Sequence, residues 1–159
     1  METKIGELAV RRSIEINASP ERVWEEFTSA ERMRLWYSTA GGVEMPCKRL
    51  EMEPWVGGKF ETEGDHGDIT FRFTGSVLVY DPPREMTVEM NPVHVRLPAG
   101  MLLTFALTPL ERDRTRAEII QHGFERFGES GRNLYEAFER GWDLVPLEAL
   151  KALIEEARS

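Results

Sequence analysis

Across the middle of the chain, apolar residues recur at every second position. Ile14 and Ile16 flank Glu15 at the end of residues 8–17; Ile69, Phe71 and Phe73 alternate with Thr70, Arg72 and Thr74; Met86, Val88 and Met90 alternate with Thr87, Glu89 and Asn91. Leu103, Phe105 and Leu107 line one side of a further segment, and Ala117, Ile119 and Gln121 one side of the last. Such a period puts successive side chains on opposite faces, so each segment reads as a strand with one buried face and one polar face. Shorter strands are expected at Lys48–Glu53, at Lys59–Glu61 and at Val77–Tyr80.

The punctuation between these segments is that of an antiparallel sheet. Gly57-Gly58 turns the chain into a strand, Asp65-His66-Gly67-Asp68 reads as a hairpin turn, and Asp81-Pro82-Pro83-Arg84 as another. Glycine and aspartate tolerate the positive φ angles that tight hairpins demand, and proline presets the first turn position. Pro109–Asp113 connects the last two strands, and Gly75 marks an expected bulge or bend. On the polar faces, Arg72 and Glu89 are expected to form an exposed cross-strand ion pair.

The period changes at both ends. Ser19 before Pro20 and Glu21 is a helix start: the hydroxyl accepts from an orphan N–H, proline suits the first helical position and glutamate the positive end of the dipole. Val23, Trp24 and Phe27 give that helix an apolar side, and Ser29 begins a second short helix through Met33 to Leu35 and Trp36, ended by Gly41-Gly42. Beyond Ser130, a candidate N-cap, Phe138, Trp142, Val145 and Ala149 fall on one helical face up to about Arg158. Pro146 offers no N–H to the turn before it, so a kink is expected near Gly141-Trp142. Leu147, Leu150, Leu153 and Ile154 form a second apolar band, available for packing or for a homodimer. The plan is α+β: a curved antiparallel sheet of about six to seven strands around a long C-terminal helix, with two short helices after the first strand.

Bulk properties narrow the function. The 159 residues suffice for one domain with a real core, and nothing in the composition marks a linker. Twenty basic against 28 acidic residues give a net charge of -8, which opposes nucleic acid and anionic membrane surfaces as partners. The dense stretch Arg112–Arg116 reads as a turn leading into a strand. A single cysteine, Cys47, excludes an internal disulfide and fits a reducing compartment. With no apolar run of signal-peptide or membrane-spanning length, the protein is expected to be soluble and cytoplasmic, without membrane insertion.

Seven short motifs in order carry a family resemblance. Ser19–Trp24, Met33–Tyr37, Val56–Phe60, Gly75–Arg84, Leu103–Leu107, Thr115–Phe124 and Gly141-Trp142 resemble the successive signatures of the activator-of-heat-shock-protein-ATPase homologue group, a branch of the START-like, helix-grip (SRPBCC) superfamily. The resemblance spans about residues 8–155 and implies a single START-like domain over 1–159, in which a seven-stranded sheet grips the C-terminal helix around an apolar tunnel. It also implies a small hydrophobic or lipid-like ligand; some members of the superfamily catalyse cyclisation or aromatisation. The eukaryotic co-chaperones of the group carry a separate N-terminal domain that grips the chaperone, which this chain is expected to lack. Many relatives place a histidine where Gln121 stands, while His122 is expected on the opposite face by strand alternation.

No catalytic constellation emerges from the residues. His66 in a turn, His94 in the Asn91–Gly100 connection and His122 at a strand end lack the paired spacing of a metal motif, and no phosphate loop, dinucleotide fingerprint or nucleophile elbow is present. Glu25, Glu26, Glu136 and Glu139 are expected on solvated helix faces. What remains is an apolar band. Phe60, Phe71, Phe73, Met86, Val88, Met90, Leu103 and Phe105 should face Phe138, Trp142 and Val145, with Trp36 near one end and with Gln121 and Tyr37 as polar contacts. The reading is a binding protein for a small apolar molecule, without catalysis, cofactor or metal. A chaperone-directed interaction module and a cyclase- or hydrolase-like enzyme are the alternatives.

Overall fold

The computed structural model describes residues 5–37, 47–93, 100–141 and 144–156, with the side chains of His66, Gly141 and Val145 outside the description. Strand β1 (Val10–Ile16) leads into helix α1 (Pro20–Trp24), a 3-10 turn (Glu25–Phe27) and helix α2 (Ala30–Met33). Six strands follow: β2 (Cys47–Met52), β3 (Lys59–His66), β4 (Ile69–Asp81), β5 (Glu85–Pro92), β6 (Met101–Leu110) and β7 (Arg114–His122). A 3-10 segment (Phe124–Ser130) then precedes helices α3 (Gly131–Gly141) and α4 (Val145–Glu156). All seven strands form one antiparallel sheet in the order β1-β7-β6-β5-β4-β3-β2. The N-terminal strand thus closes onto the C-terminal one, and the helices lie along the curled sheet in the α+β helix-grip arrangement.

Local chemistry accounts for the boundaries. Ser19 and Ser29 cap α1 and α2, their hydroxyls accepting from Arg22 N and Arg32 N at 3.2 Å each. The β3–β4 hairpin closes on Gly67 at φ 65°, with His66 paired to Ile69. Gly75 does not interrupt its strand: β4 runs straight through it, and the register slips only between Val77 and Val79. What Gly75 permits is close approach, because a Cβ there would collide with the Glu89 carbonyl oxygen on β5.

A further expectation is corrected. Arg72 and Glu89 do not pair: the register sets Arg72 opposite Glu63 and Glu89 opposite Ser76, so Arg72 bridges to Glu63 (3.6 Å) and Glu89 to Arg126 (3.0 Å). The kink expected near Gly141-Trp142 falls on residues outside the description, between α3 and α4. Pro146 falls in the first turn of α4, where its missing N–H removes no helical bond, and α3 has ended at Gly141. Leu147, Leu150 and Ile154 of α4 are buried in the core, and Lys151 Nζ ties the helix to the Glu15 carbonyl at 2.9 Å. Most of the second apolar band is therefore used in packing the protomer.

Candidate functional site

Register assigns the concave side of the sheet residue by residue. Three files of side chains cross it: Met52, Phe60, Gly75, Met90 and Met101; then Val77, Val88, Leu103, Gln121 and Val10; then Tyr80, Met86, Phe105, Ile119 and Arg12. Of the expected site residues, Trp36, Tyr37, Phe60, Phe73, Met86, Val88, Met90, Leu103, Phe105 and Gln121 are all buried. Phe71 and Phe138 are half-buried against the same core, and Ile69, at the hairpin end of its strand, is exposed. Trp142 and the side chain of Val145 lie outside the described residues, as do His94 and Gly41-Gly42.

The two ends of this face differ in chemistry. Under α1 and α2 the space is filled by rings: Phe27 meets Trp36 at 4.9 Å between centroids and Phe105 at 5.5 Å, and Trp24 stacks on Phe27 at 5.4 Å. Tyr37 touches Trp36, Phe60 and Phe105 edge-on at 5.9–6.1 Å. Such pairs add about 0.5–1.5 kcal/mol each beyond their buried area, so this end is a rigid aromatic core. Next to it the lining turns to sulphur. The Tyr37 hydroxyl donates to Met90 Sδ at 3.4 Å, and Gln121 Nε2 donates to Met101 Sδ at 3.5 Å. Met90 and Met101 are themselves register partners. Burial, with a smaller contribution from nearby Cys47, pushes the Tyr37 phenol well above its ordinary range, so it is a proton donor and not a base. On the same face the Thr62 hydroxyl is buried with no hydrogen-bond partner.

Sequence reasoning overlooked Met101, although the alternation through Leu103, Phe105 and Leu107 extends back to it. It also misplaced Glu26, expected in solvent but only 1% exposed. The 3-10 turn changes the helical phase, and α2 then folds back, so that Arg22 Nη1 and Arg32 Nη1 reach Glu26 Oε1 at 2.9 and 2.8 Å while Trp36 Nε1 donates to the Glu26 carbonyl at 3.2 Å. The spacing Arg22 to Glu26 was visible as a helical i,i+4 pair, but the return of Arg32 is a tertiary event.

His122 points away from the concave face, as alternation requires. There it ends a buried file on the convex side, with Nε2 2.7 Å from Thr104 Oγ1, which is 2.7 Å from Thr87 Oγ1. Desolvation, reinforced by Arg11 and Arg126 and opposed by Glu125, lowers its pKa to about 4, so the ring is neutral at pH 7. Among the described residues no group of three or more His, Cys, Asp and Glu is placed to hold a metal, and no helix is long and apolar enough to cross a membrane. Two open hollows of about 400 and 570 Å³ lie outside the concave band, one beside Ser19, Arg22 and Asp113 and one between Ile14 and α4.

Comparison with known proteins places this geometry. No curated protein matches the chain. Solved structures do, including a protein from Chromobacterium violaceum (25% identity over 92% of this chain and 96% of that one, TM-score 0.68). A protein from Nitrosomonas europaea matches at 17% identity over 98% and 99%, with a TM-score of 0.73. The solution structure of an Aha1 dimer from Colwellia psychrerythraea matches at 16% identity over 95% and 98%, with a TM-score of 0.61. The latter two share the fold. The family of activator of Hsp90 ATPase homolog 1-like proteins matches residues 17–155, and with that span the chain belongs to it.

Proposed function

We propose that this protein is a cytoplasmic binding protein for a small hydrophobic molecule, held under the C-terminal helices against the concave face, and that it performs no catalysis there. The observation that carries the reading is the division of that face into a rigid aromatic end and an adaptable methionine end. Thioether side chains change shape at little cost, so Met90 and Met101 can move aside for a guest while the rings hold the sheet in place. Among the described residues, the polar groups beside the methionines are a phenol that stays protonated, a neutral amide and the Thr62 hydroxyl, whereas the His122 imidazole faces the other way. That inventory can orient a molecule but does not supply a general base.

Burying roughly 300 Å² of apolar ligand surface at about 25 cal/mol per Å² is worth on the order of 7 kcal/mol before association costs of at least ~4 kcal/mol. The difference, about 3 kcal/mol, corresponds to millimolar binding, and each further ~1.4 kcal/mol from polar contacts to the guest tightens it tenfold. Thermal-shift and native mass spectrometry screens with lipids, aromatics and polyketide-like compounds test it. A ligand at about 100 times its Kd should stabilise the fold by about 2.7 kcal/mol. If no compound class raises Tm or forms a complex, the reading fails. An assay of ATPase stimulation with purified chaperone separates this proposal from a chaperone-directed role, which the family description suggests for relatives.

A further inference from the structure

Within the concave face, two buried donors each give a hydrogen bond to sulphur. A thioether is a weak acceptor, yet the Tyr37 hydroxyl and the Gln121 amide each aim at one, 3.4 and 3.5 Å away. The two donors arrive from different elements, Tyr37 from the segment after α2 and Gln121 from β7, and the two sulphurs belong to residues paired directly across β5 and β6. Independent parts of the chain thus direct N–H and O–H groups at one small region of the sheet. Beside it the Thr62 hydroxyl, one step along β3 from Phe60 on the same face, is buried without a partner.

We infer that Tyr37 and Gln121 form a polar subsite for one acceptor oxygen, and that the ligand class is a neutral, otherwise apolar molecule bearing a carbonyl. The inference rests on the ligand-binding proposal above. An oxygen entering between the donors displaces the flexible Met90 and Met101 side chains and exchanges two weak bonds to sulphur for two to oxygen. Neutrality follows from the charges present. Among the described residues, Tyr37 is a phenol, Gln121 carries no charge, and the cation nearby in register on this face, Arg12, is committed to Glu139, at 2.8 Å to its carbonyl and 3.4 Å to Oε1. A carboxylate would be desolvated here without a counterion, which costs more than two neutral donors return.

The test uses three probes of one shape: indane, 1-indanone and indane-1-carboxylate, titrated into the full chain by calorimetry and by NMR of methionine methyl groups. 1-Indanone should bind about tenfold more tightly than indane, which is about 1.4 kcal/mol, and the carboxylate most weakly. The Met90 and Met101 methyl resonances should shift with the ketone more than with the hydrocarbon. Tyr37→Phe keeps the ring contacts, so the fold should persist, and it should lower 1-indanone affinity more than indane affinity, erasing most of the ketone preference. Gln121→Leu should act in the same direction. If indane and 1-indanone bind alike and Tyr37→Phe changes neither, the subsite is refuted while the binding function stands. Preference for the carboxylate likewise overturns it. If none of the three probes binds, the subsite is refuted, while the binding function is decided by the wider compound screen.

Discussion

Acid should destabilise this protein through a single buried ring. His122 is 1% exposed, sits against Thr104 and faces Glu125, Arg11 and Arg126. Folded, it titrates near about 4; unfolded, an ordinary histidine titrates near about 6.5. Above the unfolded value the ring is neutral in both states and contributes no pH dependence. As pH falls below it, the unfolded chain takes up a proton that the folded protein refuses, and stability drops by about 1.4 kcal/mol per pH unit until the folded ring also protonates. The whole span is worth about 3 kcal/mol, against total stabilities of about 5–15 kcal/mol for domains in general, so the loss should be plain in a denaturation curve.

Carboxylates titrate in the same acid range, and the informative quantity is therefore a difference. His122→Gln keeps a hydrogen-bonding group for Thr104 and removes the titration. Urea denaturation of both proteins at several pH values from 8 to 4.5 should show the variant less stable at neutral pH by about 1 kcal/mol. Its deficit should then shrink and reverse, a relative change of about 2–3 kcal/mol by pH 4.5. The carboxylate background cancels in this comparison. Parallel pH profiles for the two proteins would refute the argument, as would NMR titration of the His122 ring with an ordinary midpoint.

Three other variants test the packing that surrounds the site. Gly75→Ala should cost about 2–3 kcal/mol in denaturant stability, because its methyl group meets backbone on β5 that cannot swing away; a loss under about 0.5 kcal/mol would contradict this. Glu26→Gln should cost about 1–2 kcal/mol, since Arg22 and Arg32, with side chains 30% and 50% exposed, can return to water. Removing both arginines should cost more, about 3–5 kcal/mol, by leaving the buried carboxylate unpaired; equal losses for the two changes would rule that asymmetry out.

How much was legible in the chain depended on whether a feature was local. Strand alternation located the concave face, and eight strand residues expected on it are buried. The turns at Gly67 and Pro82-Pro83 were legible because a positive φ or a fixed φ restricts which residues can stand there. The slip at Val77–Val79 was not, because the residues around a bulge are ordinary and only the pairing of β4 with β5 shows it. Arg72 and Glu89 illustrate the same limit: both were assigned to the correct polar face, yet their partners depend on register, which alternation alone leaves open. Glu26 failed for a different reason. Its burial depends on a chain reversal that no window of helical spacing contains.

The neighbouring residues Gln121 and His122 join these threads. A strand sends adjacent side chains to opposite faces, so the last two positions of β7 divide the polar chemistry of the sheet between them. The imidazole goes to the convex side, where its Nε2 bonds to Thr104, itself bonded to Thr87, and burial keeps it neutral. The amide goes to the concave side, where it can donate to a guest but cannot accept a proton from one. Exchanging the two residues would place the titratable group among the methionines and the amide against the threonines. Under the proposed binding function it is thus this order, and not the count of histidines in the chain, that keeps the His122 ring away from a guest on the concave face.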